Sequence, residues 1–72
     1  MASDECQGKG SWPELVGVKG EVAKATIERE NPLVNAVIVV EGEDNVITNY
    51  QCDRVWVWVD KAGIVVSVPI IG

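Results

Sequence analysis

From Cys52 to Asp60 the chain alternates without a break. Val55, Val57 and Val59 fall on one side of an extended backbone, and Cys52, Arg54, Trp56 and Trp58 fall on the other. A period of two predicts a strand with its valine face in a core, so Arg54 and Trp56 must face something else. A second run, Leu33 to Val40, is β-branched and nearly continuous in Val34, Val37, Ile38, Val39 and Val40, which predicts a strand buried on both faces. Lys61-Ala62-Gly63 reads as a tight turn with Gly63 supplying positive φ. Ile64 to Val68 reads as a third strand that stops at Pro69.

Helical signals precede these strands. Ser11-Trp12-Pro13-Glu14 opens a short turn, with Ser11 as cap, Pro13 in the first turn and Glu14 at capping-box spacing; Gly17 ends it. Trp12 is assigned to the core. Glu21 to Asn31 forms the main helix. Ala23, Thr26 and Ile27 make a narrow face that suits packing on a sheet, with Lys24, Glu28 and Arg29 largely outside. Glu21 near the start and Arg29 near the end complement the helix dipole, and Pro32 forces Asn31 out of helical geometry.

Seventy-two residues bound the chain to one domain, residues 1–72, because a second core would lack the apolar surface to close. Residues 1–10 are polar and glycine-bearing, a loose arm unless Cys6 anchors it. The net charge of −5 argues against a nucleic-acid partner, and no apolar run approaches the ~20 residues of a membrane helix. Met1-Ala2-Ser3-Asp4-Glu5 lacks the basic, then apolar, pattern of a signal peptide. With no histidine, Ser-His-Asp and Cys-His catalysis are excluded, as are histidine zinc sites. Cys6 and Cys52 are too far apart for a Cys-x-x-Cys motif, and no glycine-rich phosphate loop is present. Glu41, Glu43 and Asp44 lack the spacing of a calcium loop and read as a solvated rim. These absences predict a non-enzyme without cofactor or metal.

The segment Gly42 to Gln51 carries no tight-turn chemistry and is longer than an ordinary hairpin loop. Its centre, Val46-Ile47-Thr48-Asn49-Tyr50, is extended in propensity and holds large apolar groups. Two readings follow. Val46 and Ile47 tuck beneath the loop as a satellite core, or the segment is offered to a partner as an extended strand with Arg54 and Trp56 as props.

Four blocks, Trp12-Pro13-Glu14-Leu15-Val16-Gly17, Ile27-Glu28-Arg29-Glu30-Asn31-Pro32, Cys52-Asp53-Arg54-Val55-Trp56-Val57 and Val68-Pro69-Ile70-Ile71-Gly72, closely resemble the potato inhibitor I family in order and nearly in spacing. The likeness runs from about Cys6 to Gly72 and is strongest to plant members with one disulfide. It implies an α+β fold, a single helix packed on a small mixed β-sheet, with an extended protease-binding loop between two parallel strands. It also implies reversible, substrate-like inhibition of subtilisin-, chymotrypsin- or elastase-like serine proteases through about residues 43–51, in plant defence or the response to wounding. A loop held rigid beforehand loses little entropy on binding, and after cleavage the retained new amine favours religation. The resemblance pairs Cys6 with Cys52, anchoring the arm to the loop's exit. Closing that ring of about 46 residues would stabilise by roughly 4 kcal/mol in the chain-entropy model.

Counting back from Cys52 and Arg54 makes Thr48–Asn49 the reactive bond, with Ile47 before it and Tyr50 as the second residue after it. The loop is one residue longer than the family pattern, so Asn49–Tyr50 and Ile47–Thr48 are the competing registers. Strand residues Cys52 and Arg54 cannot slide without changing face, which favours Thr48–Asn49. Asn49 stands where relatives carry an acid, Ile47 where they carry threonine, Gln51 for a usual arginine, and Trp56 where a second arginine often lies. Arg54 and Trp56 remain as supports, and the loss of charge-assisted bonds predicts a looser loop and weaker inhibition. The loop carries no lysine or arginine, so Thr48 suits an elastase-like or broad subtilisin-like pocket, subtilisin-like first, and trypsin is excluded. The alternative is a non-inhibitory member of the same fold whose altered loop binds another protein, or which serves as a storage protein. A monomer is expected. A disulfide favours an extracellular or vacuolar setting, while the absent signal pattern leaves the cytosol open.

Overall fold

The computed structural model describes residues 8–42 and 51–72. A 3-10 turn at Pro13–Leu15 leads to helix α1 (Gly20–Glu30), strand β1 (Asn35–Val40), strand β2 (Arg54–Val59) and strand β3 (Ile70–Ile71). The sheet order is β1-β2-β3, with β1 parallel and β3 antiparallel to β2. One helix on a small mixed sheet is the α+β arrangement expected from the sequence.

Helix α1 carries Glu21 in its first turn and Arg29 in its last. It ends at Asn31, whose extended backbone (φ −137°, ψ 91°) is the geometry that Pro32 imposes. Ala23 and Ile27 are fully buried against the sheet. Lys24 and Glu28 stay partly exposed, and they also reach across to β1. The Lys24 Nζ donates to Glu28 Oε2 and to the Ala36 carbonyl, both at 2.9 Å, and Glu28 Oε2 accepts the Ala36 N–H at 2.9 Å. The ion pair thereby satisfies both outward backbone groups of Ala36 on the outer edge of β1.

Val55, Val57 and Val59 are buried as the alternation predicts, at 0%, 0% and 2% exposure. They meet Trp12, Leu15, Ala23, Ile27 and Val65 in one core. Trp12 is fully enclosed, and its indole N–H donates to Glu30 Oε1 at 2.9 Å, so the ring's polar edge is partnered where its body is buried.

Three expectations are corrected. Ser11 caps nothing: the 3-10 turn begins from Trp12 without a side-chain cap, because Ser11 is held extended in a bridge to Ile70. β1 is not buried throughout on both faces; it starts at Asn35, leaves Leu33 outside the strand and exposed, and exposes Val37 and Ile38 as well. Among the described residues it is an edge strand with α1 against its Ala36 face, while Val39 on the opposite face is also buried. Ile64 to Val68 is not a regular strand: Lys19–Ile64 and Val59–Val65 are single bridges. The Val65 N–H donates to Val18 and the Val66 N–H to Trp58, so the segment divides its backbone bonds between two neighbours. Regular pairing resumes only after Pro69, which has no N–H to give, at Ile70–Ile71. The turn before it is as expected: Gly63 has φ +86°, and the Asp60 carboxylate accepts the Ala62 and Ile64 N–H groups.

Candidate functional site

Because β1 and β2 are parallel, the chain leaves β1 at the Val40–Val59 end and re-enters β2 at the Asn35–Arg54 end. These ends stand roughly 20 Å apart for six-residue strands. Gly42 and Gln51 thus flank the 43–50 segment from opposite ends of the sheet. Glu41 N–H bonds to the Val59 carbonyl and Asn35 N–H to the Asp53 carbonyl, at 2.8 and 2.9 Å, so both flanks are tied to the neighbouring strand.

The face of β2 opposite the core carries Arg54, Trp56 and Trp58, all half-buried. Register sets Val37 and Ile70 on either side of Trp56, and Val39 beside Trp58. The Arg54 guanidinium lies over the Trp56 ring, 4.4 Å from its centroid, a cation–π contact that fixes the plane of the charge. Arg54 Nε donates to the Gly72 oxygen at 2.9 Å, and the Gly72 N–H returns a bond to the Arg54 carbonyl at 2.9 Å. The C-terminal strand therefore aligns the guanidinium. Nothing in the sequence signals this, because a glycine carbonyl has no pattern to read.

The predicted supports Arg54 and Trp56 are thus brought together at the segment's exit. Cys52 sits exposed in the turn before β2. Val46, Ile47, Thr48, Asn49 and Tyr50, with the Thr48–Asn49 bond, lie outside the described residues, as does Cys6. Among the described residues no group of His, Cys, Asp or Glu gathers to hold a metal, and no helix is long and apolar enough to cross a membrane.

Beside the C-terminal end of α1, the Lys9 ammonium bridges Glu14 (2.6 Å) and Glu30 (3.1 Å). Bonding to these carboxylates raises the Lys9 pKa, and the Lys9 bond holds the Glu14 carboxyl below its ordinary value. All three side chains are exposed, so the network orients the arm more than it stabilises the fold.

A single helix on a three-strand mixed sheet, with a parallel pair bracketing a long connection, is an architecture shared with solved plant trypsin inhibitors. The chain belongs to the potato inhibitor I family, whose pattern it matches over residues 4–72. An inhibitor of trypsin and Hageman factor from Cucurbita maxima is 60% identical over 67 residues, covering 93% of this chain and 97% of that protein. A trypsin/subtilisin inhibitor of Amaranthus caudatus is 51% identical over 65 residues, covering 90% and 93%. The crystal structure of bitter gourd trypsin inhibitor superposes with a TM-score of 0.90 at 55% identity, covering 96% of this chain and all of that one. More distantly, a wound-induced proteinase inhibitor of Solanum lycopersicum is 38% identical over 66 residues, covering 92% of this chain and 60% of that protein. The relatives named for trypsin weigh against the expectation that trypsin is excluded.

Proposed function

We propose that this chain inhibits serine proteases by presenting residues 43–51 as a substrate-like segment, bound reversibly, with Thr48–Asn49 as its reactive bond. The observation that carries the reading is the parallel β1–β2 pair, which fastens the two flanks of the segment at opposite ends of one rigid sheet. A peptide so fastened loses little further freedom when it adds backbone hydrogen bonds in a protease cleft. Arg54, stacked on Trp56 and aligned by Gly72, offers cationic N–H groups at the segment's exit as support. Pairing of Cys6 with Cys52 completes the stem; its support is that the sequence holds only these two cysteines and that Cys52 stands in the turn at the segment's exit. Thr48 favours a subtilisin-like target, and the wound-induced relatives favour a role in plant defence.

The test is titration of subtilisin and, in parallel, trypsin, with mass spectrometry of each mixture over time. Tight inhibition of subtilisin with one slow cut at Thr48–Asn49 is the expected outcome. A single cut at Asn49–Tyr50 or Ile47–Thr48 keeps the mechanism and corrects the register. Stronger inhibition of trypsin than of subtilisin corrects the target. Rapid multiple cleavage without inhibition favours the non-inhibitory or storage reading, in which the added loop residue and the lost acid have disarmed the segment. Intact mass after alkylation, with and without reductant, must differ by two labelled thiols if the cysteines are paired.

A further inference from the structure

Asn31 is the only buried polar side chain among the described residues, and its side-chain bonds to Lys9 and Leu33 gather at one end of the sheet. Its Nδ2 donates to the Lys9 carbonyl at 3.0 Å, and its Oδ1 accepts the Leu33 N–H at 3.0 Å. Its backbone carbonyl accepts the Val34 N–H at 3.2 Å, which leads directly to Asn35 and its bond to Asp53, next to Cys52. On the other side of Lys9, Gly8 lies flat against the same amide. A Cβ there would stand 2.8 Å from Asn31 Nδ2, at a backbone φ of +77° that side chains rarely adopt. Gly10 is held independently, its carbonyl accepting the Ile71 N–H at 3.0 Å, and Ile71 pairs with Val55.

Two separate ties therefore hold Gly8–Gly10 at the N-terminal end of β2, where Cys52 enters. Cys6 is two residues from Gly8, so the covalent chain confines it to within about 7 Å of that point. Confinement of one thiol near another raises their effective concentration and shifts the dithiol–disulfide equilibrium toward the bond.

We infer that Asn31 is a positioning residue for the inhibitory segment: by clamping the Gly8–Lys9 strap it delivers Cys6 to Cys52 and so fixes the segment's exit. This rests on the Cys6–Cys52 pairing and on the inhibitory reading above.

Asn31→Asp keeps the acceptor for Leu33 but sets a second oxygen against the Lys9 carbonyl. Val65→Ala, in the core away from the strap, serves as a control of matched thermal stability. Each chain is equilibrated in a glutathione redox buffer, alkylated and weighed. The Asn31→Asp equilibrium is expected to move toward the dithiol by roughly three- to tenfold beyond the control, the range that one net hydrogen bond supports. Subtilisin should also cut its reactive bond faster than that of the control. In a Cys6→Ser/Cys52→Ser background, Asn31→Asp should add nothing to the cleavage rate. Gly8→Ala, which strikes the same amide from the other side, should reproduce the redox shift. Equal equilibria in Asn31→Asp and Val65→Ala overturn the role while leaving the pairing intact. Two alkylatable thiols in the unreduced parent overturn the pairing and the role together. An Asn31→Asp redox shift in a parent that does not inhibit keeps the strap and removes only the inhibitory reading.

Discussion

The two faces of β2 are built from neighbouring residues and obey different rules. Val55, Val57 and Val59 meet apolar partners on all sides and are essentially closed to water. Arg54, Trp56 and Trp58, one residue out of phase, are only half-buried and are organised by directional contacts: a guanidinium on an indole and a bond to Gly72. Removing methyl groups from the first face leaves a void that the fold must bear. Changing the second face leaves the core whole and alters what the strand can hold above it. If Arg54 and Trp56 support the segment as proposed, stability and inhibition divide between the two faces of one strand.

This division can be broken at several points. Trp12→Ala, at the floor of the core face, should cost about 4 kcal/mol of unfolding free energy, measured by denaturant titration. It also removes one of the two partners of the Glu30 carboxylate, which keeps its bond to Lys9. Val57→Ala should cost about 2 kcal/mol, and protease inhibition by the fraction that remains folded should be unchanged. Arg54→Ala reverses the pattern. Its stability loss should be about 1 kcal/mol, while the inhibition constant for subtilisin rises about ten- to hundredfold, the effect of removing hydrogen bonds from a charged donor. If Arg54→Ala instead destabilises as much as Val57→Ala and leaves inhibition intact, the two faces do not divide the work.

The smallest effect sharpens the comparison at the sheet's edge. Glu28→Gln weakens the pair that closes Ala36, so the Ala36 amide should exchange faster with solvent while stability falls by less than about 1 kcal/mol. The Glu28 carboxyl is held below its ordinary pKa, first by the Lys24 ammonium and then by the Ala36 N–H. A depressed folded pKa adds stability above the unfolded value and loses it as the pH drops through the folded one. The gap between parent and variant should therefore be widest near neutrality and narrow below about pH 4.3. A gap that grows on acidification would mean that Glu28 acts through something other than its charge.

Much of this arrangement was legible in the residues. The alternation from Val55 to Val59 named the core face, Pro32 named the helix end, and Trp12 was read as core; each depends on local backbone geometry that neighbouring residues dictate. Arg54 and Trp56 were also legible as residues left over from the core face. Gly72 and Asn31 were not. One contributes a backbone oxygen, and the other is an ordinary helix-ending asparagine whose importance lies in Gly8 and Lys9, far away in the chain.

The sequence by itself determined which side of β2 and of α1 is apolar, where the helix must stop, and that the chain belongs with the potato inhibitor I family, because periodicity, proline geometry and motif order are properties of the chain alone. Only the tertiary structure decided that β1 is an edge strand with Val37 and Ile38 exposed, that Lys24 and Glu28 turn back to close that edge, and that the third strand forms at Ile70–Ile71 and not at Ile64–Val68. Those outcomes depend on which backbone donors and acceptors are still unpaired once distant segments have met, and no local pattern carries that information.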